Sequence, residues 1–423
     1  MSCKLKLRSE NVYYEGKFRE LEVCIEGRKI TRVGKDLGSG LEELDFGDKL
    51  LIPGVIDGHV HFRDPGEPEK EDFRSGSRAA ACGGVTTVVD MPNNLPPIKS
   101  PKLFEEKKRI ALEKSLVNFA LYAGIPEDLS DISLLEDVGA IGFKYYMATE
   151  TVNLSGLVRE LNKTDSLLTV HAEDPEEIRN ADSSSTPAEY LDSRPPEAEL
   201  VAVDKLLRRL PERLHVAHVT LSETVSKLKT GMTSEVTPHH LLLSREDVDL
   251  TNFTAVTHPP IRYRDRVLKL RESFFSNEID MISSDHAPHR RSEKESTTLT
   301  GGRPGVPGVE TILPLSLTFA CENDLPLAFP IDKLTKKPAK IFGFKRRGEI
   351  REGYWADLTV VAGDVDRTIR GENFYSKGKV TPFEGRRVSF WPVTTFINGQ
   401  VIHRDGKIVS EKTGDFLTGS SDG

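Results

Sequence analysis

Eight short apolar runs separated by stretches of helical periodicity fill the middle of the chain, and few folds accommodate that alternation. The runs are VIDGHVHF, VTTVVDM, VNFALYAG, AIGFKYYM, LLTVHAE, LHVAHVT, MTSEVT and IDMISSDH. Between them, KLFEEKKRIALEKSL and AELVAVDKLLRRL space their apolar residues three and four apart, as one face of a helix requires. Eight strand–helix units predict an α/β fold, a closed (β/α)8 TIM-type barrel. The third and seventh strands carry the weakest pattern. At 423 residues the chain has material for the barrel and a second, smaller unit. Both ends read as short strands. VYYEGKFRELEVCIEGRKITRVG is broken by the turn glycines Gly16, Gly27 and Gly34, and TTFINGQVIHRDGKIVS holds the hairpin pairs Asn398-Gly399 and Asp405-Gly406. The expectation is a small β-sandwich domain formed from both termini, residues 1–53 and 343–423, around a barrel of residues 54–342. The stretches 182–196 and 290–308, rich in Ser, Pro, Gly and charge, read as loops.

Composition sets limits on partners. Hydrophobic residues at 37% and charged residues at 29% suit a globular protein with an ample core. With 58 basic and 66 acidic side chains the net charge is −8, which gives no footprint for nucleic acid or an anionic membrane. Cys3, Cys24, Cys82 and Cys321 lie far apart without a CxxC pair, so they are expected to be reduced, neither a disulfide framework nor a thiolate zinc site. No apolar run approaches the roughly 18 residues a membrane span needs. MSCKLKLRSE has no signal-peptide apolar region, and the expected location is cytoplasmic.

The strongest polar residues fall at the C-terminal ends of the predicted strands, the end of a barrel where active sites lie. His59 and His61 alternate at the end of the first run, so their imidazoles share a side and can grip one ion. Lys144 follows at the fourth strand, His171 at the fifth, His218 at the sixth and Asp285 at the eighth. An isolated strand-end histidine is more often a hydrogen-bonded core residue. Four of them converging with a carboxylate on one barrel mouth form a ligand set for zinc or a similar metal. Lys144 cannot bind a cation as an ammonium. Buried, with a depressed pKa, it could instead form an anionic carbamate that bridges two metals, although a lone lysine ordinarily pairs with an acid. His215, three residues before His218, is expected on the opposite face of its strand, and His286 and His403 read as structural.

These residues sit in longer motifs. PGVIDGHVHFRDPGEPEKEDFRSGSRAAACGGVTTVVDMPNN (residues 53–94), ISSDHAPH (282–289), EVTPHHL (235–241) and GEIREGYWADLTVV (348–361) resemble the dihydroorotases of the amidohydrolase superfamily. The resemblance covers essentially the whole chain. It implies His59, His61, Lys144, His171, His218 and Asp285 as metal ligands, with two Zn2+ per chain bridged by carboxylated Lys144. It also implies a substrate pocket of His61, Arg63, Asn93, His289 and, less closely matched, Pro304 and Gly305. Arg63 and Asn93 would hold a carboxylate, and a guanidinium fork suits that group better than an ammonium. His258, in THPPIRYRDR, stands where the family usually has asparagine, and either takes over that substrate contact or leaves it vacant. His239 and His240 read as packing groups or supports for the site.

The implied reaction is the reversible interconversion of N-carbamoyl-L-aspartate and L-dihydroorotate plus water, the third step of pyrimidine biosynthesis. A metal-bound hydroxide would attack, and Asp285 would be the catalytic acid and base. Allantoinases and dihydropyrimidinases share the histidines, the lysine and the aspartate, and are the nearest alternatives. Arg63-Asp64-Pro65-Gly66 and Met91-Pro92-Asn93-Asn94 favour a ring that bears a carboxylate. A barrel without activity, serving as scaffold for aspartate transcarbamoylase, is the alternative of a different class, but such a chain would be expected to lose ligands. A homo-oligomer and an association with aspartate transcarbamoylase are the partnerships the resemblance leaves open.

Overall fold

A computed structural model describes residues 3–179, 184, 186–209, 211–412 and 414–419. Part of the loop expected at 182–196 therefore lies outside the described residues, as do the last residue of AELVAVDKLLRRL and the ends of the chain. In chain order, the first strands are β1 (Cys3–Tyr14), β2 (Lys17–Glu26), β3 (Lys29–Gly34), β4 (Gly40–Asp45) and β5 (Leu50–Pro53). Next come β6 (Val55–Val60), β7 (Val85–Asp90), β8 (Asn118–Leu121), β9 (Ala123–Gly124) and β10 (Phe143–Tyr146). They are followed by β11 (Leu168–His171), β12 (Leu214–Val216), β13 (Thr233–Val236) and β14 (Met281–Ile282). The last six are β15 (Leu358–Ala362), β16 (Arg367–Thr368), β17 (Arg387–Val388), β18 (Trp391–Ile397), β19 (Gln400–Arg404) and β20 (Lys407–Ile408).

Strands β6 to β14 cover all eight apolar runs, the third run being divided into β8 and β9. Their pairings are parallel throughout, in the orders β6-β7-β8 and β9-β10-β11-β12-β13-β14. Every residue of β6 and β7 is buried, as expected of strands packed on both faces by crossover helices. The barrel closes where Val60 bridges His286. There the His61 amide donates to the His286 carbonyl at 2.8 Å, and the His286 amide donates to the His59 carbonyl at 3.3 Å. The other seam, between the third and fourth strands, is reinforced by the chain's last described segment. The Phe119 amide donates to the Asp415 carbonyl and the Leu417 amide to the Phe119 carbonyl, at 2.9 and 2.7 Å.

Strands from both ends of the chain form one sheet in the order β20-β19-β18-β15-β5-β1-β2-β3, with β4 beside β1. The expected hairpin pairs Asn398-Gly399 and Asp405-Gly406 turn as their chemistry requires, with positive φ at both residues (51° and 78°, then 47° and 78°). Leu7, Val23, Ile25, Leu51, Leu358, Val360 and Phe396 form the buried core of this sheet. Folding β2 back on β1 also corrects one expectation. Cys3 and Cys24 are joined by a disulfide, with Cα atoms 5.6 Å apart, and are not reduced thiols. Their 21-residue separation hides a proximity that only the hairpin creates. Cys82 and Cys321 are free. Among the described residues no helix is long and apolar enough to cross a membrane.

Barrel and terminal sheet meet at buried Asp357. Its carboxylate accepts from the Asn118 amide at 3.2 Å and the Asn398 backbone at 2.7 Å, and it pairs with the buried guanidinium of Arg347. Removing one member of such a buried pair strands the other's charge. Asp357→Ala should therefore lower unfolding free energy by about 3–5 kcal/mol in urea titrations. A loss under 1 kcal/mol would show that the network is not a structural joint.

Candidate metal centre

The closed seam delivers His59, His61 and Asp285 to one point. Their ligand atoms lie within 4.8 Å of one another, and all three side chains are buried. One nitrogen of each ring is already committed. His59 Nδ1 lies 2.5 Å from Glu235 Oε1, and His61 Nδ1 lies 2.7 Å from Asn93 Oδ1. Donation from those nitrogens leaves each Nε2 as the lone-pair atom, and the two Nε2 atoms face the same Asp285 oxygen at 3.3 and 3.1 Å. Burial pushes the His59 pKa down to about 4 and holds His61 well below its ordinary value. Neutral imidazoles are the form a metal needs.

A second pair stands beside them. His171 Nε2 is 2.6 Å from Glu173 Oε2, and its Nδ1 faces His218 Nε2 at 3.1 Å. The His59 and His218 ring centroids are 5.2 Å apart, so the two groups form one cluster. Lys144 is wholly buried, and its Nζ has no hydrogen-bond partner among the described residues. Burial lowers its pKa to about 8 despite the opposing pull of Glu235 and Asp285. Converging lone pairs around an orphaned amine suit a divalent ion, and the residues fit one. Backbone strain marks the same place. His218, Asp285 and Arg63 have φ of 36°, 47° and 59°, a left-handed conformation costing about 1–2 kcal/mol each outside glycine.

One cavity of about 660 Å³ joins this cluster to the remaining expected residues. Arg63, Asn93, His258, His289, Pro304 and Gly305 line it together with His59, His61, His171, His218 and Asp285. Arg63 Nη2 lies 3.4 Å from His289 Nε2, while Arg63 Nε and His258 Nε2 are buried without partners. His258 is carried on a cis bond to Pro259, whose carbonyl meets His240 Nε2 at 3.0 Å. His240 Nδ1 in turn meets Thr237 Oγ1 at 2.8 Å, so His240 supports the wall that bears His258. Gly305 has φ 125°, and a Cβ there would come within 2.6 Å of the Ala287 carbonyl oxygen. Only glycine lets the loop approach so closely. The short helix Arg291–Lys294 interrupts the loop expected at 290–308, and buried Lys294 ties it down by donating to the Val256 and Arg303 carbonyls at 3.3 and 3.1 Å.

His215 differs from expectation. Strand β12 ends at Val216, and the positive φ of His218 breaks the alternation that would have put the two rings on opposite faces. His215 Nε2 lies 3.4 Å from Glu235, whose other oxygen accepts from the His218 amide at 3.3 Å. His286 is structural, near Glu71 at 3.2 Å and accepting from the Gly308 amide at 3.1 Å. Sequence reasoning missed Glu235 and Glu173. Both are acids within or directly after an apolar run that folds into the barrel, MTSEVT and LLTVHAE, and a charge in such a run was the available signal. Burial pushes the Glu235 carboxyl up, but His59 and His215 hold it well below the usual range.

Residues 50–402 match the amidohydrolase family. The chain belongs to that family. Within it, the chain is 36% identical to the dihydroorotase of Methanothermobacter thermautotrophicus, covering 95% of each chain. It is also 36% identical to the dihydroorotase of Halobacterium salinarum, covering 96% of this chain and 98% of that one. Among solved structures, the L-hydantoinase (dihydropyrimidinase) of Arthrobacter aurescens superposes with a TM-score of 0.93 at 28% identity, covering 98% of this chain and all of that one.

Asn93 carries two duties in this geometry, since its oxygen orients His61 while the residue lines the cavity. Asn93→Ala should weaken binding of a divalent metal at this site about 10–100-fold, the usual cost of losing a hydrogen bond behind a ligand, and should raise KM as well. Competition with a chromogenic chelator would check this. Unchanged metal affinity would leave Asn93 a cavity-lining residue alone.

Proposed function

We propose that the chain is a zinc-dependent dihydroorotase, interconverting L-dihydroorotate plus water and N-carbamoyl-L-aspartate. The observation that carries this reading is a single cavity lined by both a metal-ligand cluster and a half-buried arginine, Arg63. In this reading His59, His61 and Asp285 would hold one ion and His171 and His218 a second, with carboxylated Lys144 as a further ligand. Bound zinc would polarise the scissile carbonyl and bring the pKa of water from 15.7 to about 7.

The protein's own groups do the rest. Arg63 lines the cavity with a guanidinium nitrogen unpaired, and it takes the ring carboxylate, with Asn93 and His289 beside it. This contact fixes the scissile bond over the cluster. Water oxygen bonds to the carbonyl carbon and the ring C–N bond breaks. Asp285, whose pKa burial raises, receives the proton of the attacking water and returns it to the departing nitrogen. Run backwards, the same groups close the ring and release water. His258, which lines the cavity, would supply the contact that the resemblance assigns to an asparagine.

The hydantoinase likeness of the fold favours a second reading, a cyclic-amide hydrolase for rings without a carboxylate. Arg63 separates the two, because a half-buried guanidinium in the cavity wall would be left unmatched by such a ring. Partnership with a second copy or with aspartate transcarbamoylase rests on the resemblance alone. The cytoplasmic location loses the support that four reduced cysteines would have given it.

Assays with dihydroorotate, allantoin and dihydrouracil should show turnover of the first alone, and preference for either other ring would replace this reading with its alternative. Asp285→Ala should cut kcat by about 10²–10⁴-fold in steady-state measurements, and near-normal turnover would remove it from the mechanism. Lys144→Ala should lose metal and activity, with partial rescue by small carboxylic acids. Two tightly held ions in that variant, measured by atomic emission, would count against a carbamate bridge.

A further inference from the structure

Glu235 and Glu173 stand behind opposite ends of the cluster under different electrostatic load. Each lies against the committed nitrogen of one histidine, His59 Nδ1 at 2.5 Å and His171 Nε2 at 2.6 Å. A carboxylate in that position makes the imidazole a stronger metal ligand. The other polar neighbours of Glu235 are His215 Nε2 at 3.4 Å and the His218 amide at 3.3 Å, and among the described residues no Lys or Arg is ion-paired with it. Glu173 is loaded otherwise. Its Oε2 meets His171 and, at the same 2.6 Å, Nη1 of Arg194, while its Oε1 has no partner. Both members of that ion pair are buried, so little water screens the guanidinium charge. Arg194 is held in place, its carbonyl accepting from Arg262 Nη1 at 2.6 Å.

We propose that Arg194, acting through Glu173, makes the His171–His218 end the weaker of two metal positions, so that divalent ions load in order. The first enters between His59, His61 and Asp285, and the second enters beside His171 and His218. The guanidinium claims the electron density that Glu173 Oε2 would otherwise lend to the His171 ring, whereas Glu235, which also faces His215 and feels the charge of Lys144, has among the described residues no ion-paired guanidinium on the oxygen that meets His59. Donor placement agrees, because His59, His61 and Asp285 already converge as a set of three. Arg194 is thus a positioning residue for the second ion.

The inference rests on the two-ion reading above, and the test separates the two. Metal-free full-length protein is titrated with zinc chloride against a competing chelator, with bound zinc counted by mass spectrometry. Two steps are expected, the second at least about tenfold weaker. Arg194→Gln should tighten the second step about tenfold and leave the first unchanged. Glu173→Gln should weaken the second step alone. Uptake of no zinc would sink the two-ion reading itself. Two equal steps, or an Arg194→Gln second step that stays put or weakens, would overturn the ordered loading. Should Arg194→Gln fail to fold, wild-type crystals grown with one equivalent of zinc decide the matter. Anomalous density at His59, His61 and Asp285 supports the order, and density at His171 and His218 refutes it.

Discussion

The site depends on the hydrogen bonds that close the barrel between its first and last strands. Backbone amides and carbonyls of His59, His61 and His286 exchange two bonds across that seam, and the side chains of His59, His61 and Asp285 meet because of it. Neither strand could assemble the cluster alone. The seam lies in the buried interior, where an unmade backbone bond costs roughly 1–3 kcal/mol. Its geometry is therefore enforced by the same energetics that hold the fold, and the positive φ at Asp285 is tolerated within it.

Two carboxylates and one amide behind the histidines complete that arrangement. A bare imidazole can present either nitrogen, and rotation of the ring would scatter the lone pairs. Glu235, Asn93 and Glu173 each take one nitrogen, so the other is fixed in both tautomer and direction. The cluster is preorganised by neighbours that never need to touch a metal.

Much of this was legible in the chain, for identifiable reasons. Eight apolar runs read as strands because parallel strands covered on both faces are continuously apolar. The strand-end histidines read as ligands because barrel topology sends strand ends to one mouth. The hairpin turns read from Asn-Gly and Asp-Gly, which carry their own backbone preference. The misses share one cause, which is that they depend on tertiary proximity. Cys3 meets Cys24 only after β1 and β2 pair. His215 joins the Glu235 neighbourhood only once β12 pairs with β13, the strand that carries Glu235. Glu173 and Glu235 were visible as acids in apolar runs, yet their roles follow from the rings they face.

The segment Asp415–Leu417 binds along the third barrel strand, hundreds of positions upstream. During synthesis that strand emerges long before its partner segment exists. The third strand accordingly lacks these two bonds until the residues around Asp415 have been made. In that interval the backbone amide and carbonyl of Phe119 lack these partners, and pairing with neighbouring chains can compete with correct assembly.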